Sequence, residues 1–155
     1  MTTKIQIAEA YVSLMVHLAK SDGVLDRQES SFICDSTKGY LKRFGVELGA
    51  ERVAEIVTQP LSLEEGMQRL QPLEPDQKRS ILMQLVLLVH LDGTYSENEK
   101  SVLEIITDGL FGEAASLIQK YIEAKIRLYA VEDEMIQYFE SVDGSIVQPQ
   151  GGANE

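Results

Sequence analysis

AKSDGVLDRQE, residues 19–29, and VHLDGTYSENE, residues 89–99, carry one pattern twice, with Asp22 and Asp92 setting the offset at 70 residues. Each copy reads Asp-Gly, an apolar or aromatic residue two further on, a polar residue, and a Glu three positions after that. Glycine just past a helix end accommodates the left-handed turn that closes it. Asp26 before Glu29, and Ser96 before Glu99, have the capping-box spacing, in which the two side chains satisfy free backbone N–H groups of a new helix. Each stretch therefore predicts a corner between two helices.

Outward from the first corner, Ile7, Ala10, Tyr11, Leu14, Met15 and Leu18 recur at steps of three and four, which places one apolar stripe on a helix from Ile5 to Lys20. The helix after the corner spans Arg27–Phe44 and stops at Gly45. LGAERVAEIVTQ (48–59) predicts a third helix ending before Pro60, and Ser62 with Glu65 caps a short fourth, LEEGMQRL. Pro75 suits a first helical turn. The helix from there to Leu91 is apolar on nearly every side beyond Ile81, as a helix surrounded by others would be. Ser96 opens a sixth at about 97–110, and a long last helix covers roughly 113–140.

No segment alternates with β-branched enrichment, so the chain is expected to be all-α, with about seven helices and two central ones that each end in an Asp-Gly turn. VAEI (53–56) falls on IEAKI (122–126) at offset 70, and LEEGM (63–67) on VEDEM (131–135) at offset 68. These matches predict an internal duplication, with pseudo-repeats near 4–71 and 74–140. One domain is expected over 1–142, with the Gly, Gln, Pro and Asn rich residues 143–155 as a flexible tail.

The chain has 155 residues and a net charge of −11, with 14 Lys and Arg scattered along it. That distribution excludes a phosphate-backbone binder, so nucleic acid is not an expected partner. ILMQLVLLVHL (81–91) falls short of the ~20 apolar residues that cross a bilayer, so no membrane span is expected. MTTKIQIAEAYVSL shows no export signal, and a single cysteine, Cys34, excludes an intrachain disulfide; both agree with a cytoplasmic location.

The doubled motif matches the second half of an EF-hand loop, with Asp, Gly, an apolar residue, Asp or Ser, and Glu at loop positions 5, 6, 8, 9 and 12. Positions 1 and 3 would be Leu18 and Lys20, or Leu88 and His90, which offer no carboxylate to a calcium ion. An EF-hand is excluded. Helix capping explains Gly23, Asp26 and Glu29 but leaves Asp22 and Asp92 near the negative end of a helix dipole, unfavourable by a few tenths of a kcal/mol. They are either turn formers or metal ligands.

The segments LMVHLAKSDGVLDRQE and LVLLVHLDGTYSENE resemble the TerB-like family of tellurite-resistance proteins, whose fold also occurs beside J-domains in some membrane-anchored co-chaperones. The resemblance spans most of residues 5–140. It implies an all-helical duplicated fold, metal binding through acidic residues, and a place in bacterial stress responses. The positions carried over are Asp22 and Glu29, and Asp92 and Glu99; Asp26 lacks an acidic counterpart because the second copy has Ser96.

The function expected is a non-enzymatic domain binding a divalent ion, calcium or magnesium ahead of zinc, among other stress-response proteins. Central helices packed parallel would bring the four acids to one ion, and antiparallel packing would leave two half-sites. Asp26, His17 and His90 are further candidate ligands, although the histidines precede their turns by five and by two residues. Cys34 with His17 lacks the third group of a nucleophilic site and reads as a buried core cysteine. The alternatives are a protein-interaction module with purely structural turns, and a small-molecule binder with a cleft lined by Met67, Met83 or Met135.

Overall fold

The computed structural model describes residues 2–91 and 95–153, with 144–153 as helical backbone alone. Asp92, Gly93 and Thr94 of the second corner lie outside the described residues. Among the described residues there are seven α-helices and no strand. They are α1 Lys4–Ala19, α2 Arg27–Phe44, α3 Ala50–Thr58, α4 Leu63–Leu70, α5 Pro75–His90, α6 Glu97–Phe111 and α7 Ala115–Ala153. Lys20–Asp22 and Gly112–Ala114 form short 3-10 turns.

The helix starts follow local chemistry. Asp26 Oδ1 accepts the Glu29 N–H at 2.7 Å while Glu29 Oε1 accepts the Asp26 N–H at 3.1 Å, and Ser96 and Glu99 repeat the exchange at 3.1 and 2.9 Å. Gly45 closes α2 in the left-handed conformation, φ 65 and ψ 37.

α1 and α5 form the centre. Tyr11, Val12, Met15, Val16, Leu18 and Ala19 are buried on α1, and 70 residues later so are Ile81, Leu82, Leu85, Val86, Leu88 and Val89 on α5. The outer pair repeats in the same register: Glu29, Ile33 and Thr37 point inward from α2, and Glu99, Leu103 and Thr107 from α6. Both threonines donate to the carbonyl four residues back at 2.6 Å. This is the burial pattern a duplicated helix pair would leave.

α3 and α4 pack on α1, and α7 packs on α5 and α6, while α6 also packs against α4 and α1. Glu9 of α1 orients the first pair, accepting from Arg52 of α3 at 2.6 Å and from Arg69 of α4 at 3.3 Å. The halves then diverge. Gln59 and Pro60 break the first between α3 and α4, whereas Tyr129 and Ala130 occupy those places in the second and let α7 run on unbroken. α7 continues through the expected boundary at 142 to Ala153. From Ala130 to Asp143 every side chain on it is exposed.

Candidate functional site

After α1 the chain tightens into the Lys20–Asp22 turn, closed by the Gly23 N–H donating to the Lys20 carbonyl at 2.9 Å. Gly23 then takes φ 129 and ψ −116, a region that a Cβ excludes. The reversal leaves the Asp22 carboxylate at the surface, where Oδ2 accepts a hydrogen bond from Ser96 Oγ at 2.7 Å, 74 residues away. The same Ser96 oxygen accepts the Glu99 N–H. One hydroxyl thus caps α6 and binds the first corner to the second.

That bond brings the end of α1 beside the start of α6. Glu29 and Glu99 stand beneath the corners at 4% and 2% exposure, each engaging one carboxylate oxygen in its capping box. The separation between Asp22 and Asp92 lies outside the described residues. Among the described residues no three His, Cys, Asp or Glu side chains are grouped so as to hold a metal. Asp22, Asp26, Glu29, Glu99 and the Ser96 hydroxyl offer oxygen atoms only, the ligand type that hard cations prefer.

The histidines have other work. His17 Nε2 donates to the Leu61 carbonyl at 2.5 Å, Ser13 Oγ accepts the Leu61 N–H at 3.1 Å, and Lys20 Nζ donates to the Val57 carbonyl at 2.8 Å. These three α1 side chains satisfy the backbone around the Gln59-Pro60 break, so the candidate ligand His17 is a latch on the α3–α4 connection. His90 Nε2 meets Asp133 Oδ2 at 2.9 Å and its ring packs on Tyr129 at 5.0 Å, joining α5 to α7. Cys34 corrects the expectation of a core cysteine. It is exposed, because Ile33 and Thr37 take the inward face of α2 and the next residue lies about 100° round the helix.

A groove of about 490 Å³ opens between α2 and α5, lined by Tyr11, Phe32, Tyr40, Phe44, Leu73 and Ile81 among others. Tyr11, Tyr40 and Phe44 stack in sequence with ring centroids 5.2 and 4.6 Å apart, and burial pushes the Tyr11 and Tyr40 phenols up. Ser36 donates to Gln84 Oε1 at 3.1 Å at its edge. The cleft expected from methionines is therefore an aromatic one. Met135 is exposed on α7 and Met67 packs against Gly109, so neither borders this groove.

Compared with known families, residues 8–120 match the sequence model of the family described as tellurite resistance protein TerB. The chain belongs to the TerB family. The match takes in both corners and ends within α7, so the exposed part of that helix falls outside the TerB region. Comparison with curated proteins and with solved structures gave no match. No described helix is long and apolar enough to cross a membrane.

Proposed function

We propose that the paired Asp-Gly corners form one binding place for a divalent cation, magnesium or calcium, and that this TerB domain serves as a binding module without catalysis. Its setting is a cytoplasmic tellurite or stress-response assembly whose other members are its partners. The observation that carries this reading is the Asp22–Ser96 bond between the corners. Under the 70-residue correspondence Asp22 answers to Asp92, and Ser96 to Asp26. By that correspondence in the sequence the counterpart pair would be Asp92 with Asp26, two carboxylates that would repel one another unless a cation or a proton were shared between them; Asp92 lies outside the described residues.

Asp22, Asp26 and Asp92 would hold the ion, while Glu29 and Glu99 serve the capping boxes. The cation would supply the positive charge that lets the acids share one place, and the capping boxes fix the loops that present them. Calorimetric titration with Mg²⁺ and with Ca²⁺ tests this. One ion per chain is expected for the native protein, with affinity reduced at least about tenfold in Asp22→Asn and in Asp92→Asn. No heat with either ion on the native protein would overturn the reading. Purely structural corners predict instead that Asp22→Asn lowers thermal stability equally with and without cation.

A second reading, binding of a small aromatic or apolar ligand, is supported by the groove between α2 and α5. Gly39 lines it with open space around its Cβ position. Gly39→Leu is expected to abolish uptake of an apolar fluorescent dye, and unchanged uptake would remove the groove from consideration.

A further inference from the structure

We propose that α7 pairs with α7 of a second copy of this chain as an antiparallel two-helix coiled coil. From Leu117, alternate steps of four and three reach Tyr121, Ala124, Leu128 and Val131, then Met135, Tyr138 and Val142. That is the 3.5-residue period of a coiled-coil seam, held over nearly four heptads and about 39 Å at 1.5 Å per residue. All these residues are exposed, Leu128 at 48%, Val131 at 58% and Met135 at 52%. The face that holds α7 to its own body, through Ile118, Ile122, Ile126 and Tyr129, lies on another side of the helix, so the seam is not the surface that α7 uses within its own chain.

The flanking charges name the occupant. Beside the seam stand Lys120, Lys125 and Arg127 in its first half, and Glu132 and Glu134 in its second. Laid antiparallel about the midpoint between Leu128 and Val131, two copies bring Arg127 against Glu134 of the partner and Lys125 against Glu132 of the partner, each pair formed twice. The same register sets Leu128 on Val131, the small Ala124 on Met135, and Tyr121 on Tyr138. A parallel pair would set Lys120 against Lys125 of its neighbour. Lys125, Arg127, Glu132 and Glu134 make no ion pair within the described residues of one chain; Lys125 lies over the Tyr129 ring at 5.0 Å, and the second copy supplies the opposite charges.

Sedimentation equilibrium on the full chain over a range of concentrations is the test, and a dimer is expected. Leu128→Glu, at the centre of the seam, should give a monomer with unchanged helix content by circular dichroism. Arg127→Glu should raise the dimer dissociation constant about tenfold, the size of two exposed ion pairs turned repulsive. Adding Glu134→Arg to it should restore the native value. A monomer at every concentration, or a dimer that persists in Leu128→Glu, overturns the proposal. Restoration by Glu132→Arg in place of Glu134→Arg would indicate a parallel pair and overturn the antiparallel register.

Discussion

At Asp22 two local preferences conflict with one distant contact. The helix dipole opposes a carboxylate at the end of α1, yet the residue accepts a hydrogen bond from Ser96 at 2.7 Å, and a bond to a charged acceptor contributes roughly 1.5–3 kcal/mol. The contact outweighs the dipole. It depends on the reversal at Gly23, whose φ of 129 admits no side chain without strain. Nothing lies within 4 Å of its Cβ position, so the cost of Gly23→Ala comes from the backbone alone. The substitution is expected to destabilise the fold by about 1–3 kcal/mol, and equal midpoints in urea denaturation of the two proteins would refute that. The glycine stop and the capping boxes were legible in the residues because each acts over a few positions. The partner of Asp22 was not, and neither was that of His17, whose acceptor at Leu61 is 44 residues away.

Among the elements, α4 packs tightly on α1. Gly66 is buried there, and a Cβ built on it would stand 3.2 Å from Leu14 Cδ2 and 3.8 Å from the Ala10 carbonyl. Leu14 is itself fully buried and has little room to give. Gly66→Val is expected to cost about 1–3 kcal/mol by overpacking, checked by thermal melting; a rise in the melting temperature would mean that α4 can move away from α1. Helix positions followed from periodicity to within about two residues except at the end of α7, expected near 140 and found at Ala153, since a helix must bury its apolar stripe somewhere but an exposed extension carries no such signal. The seam on α7 was present in the residues too. What periodicity could not tell was which of its two apolar faces the body would cover, because that depends on how α7 crosses α5 and α6.

For the molecule as a whole, burial of three tyrosines, Tyr11 on α1, Tyr40 on α2 and Tyr95 ahead of α6, sets its behaviour in alkali. The Tyr11 and Tyr40 phenols are held above their ordinary value of 10.0, chiefly by burial, and burial pushes Tyr95 up to about 12. A phenol with a raised folded pKa keeps its proton more tightly in the fold than in the unfolded chain. The stability it lends is whole below pH 10 and is lost as the pH rises through the folded value. Stability is therefore expected to fall between about pH 10 and 12, with these three of the six tyrosines ionising late in an ultraviolet titration. Six phenols ionising together near their ordinary value would contradict it.

The amino-acid sequence by itself determined the all-helical class, the ends of the first six helices, the first corner and the caps that open α2 and α6, because capping, turn chemistry and hydrophobic periodicity are set by residues within a few positions of one another. Tertiary structure alone decided that the corners meet, that the histidines serve the packing, that Cys34 faces solvent, and that one face of α7 is left uncovered. Each of those depends on side chains tens of residues apart, whose approach is fixed only by the angle and direction at which α1 and α5 pack.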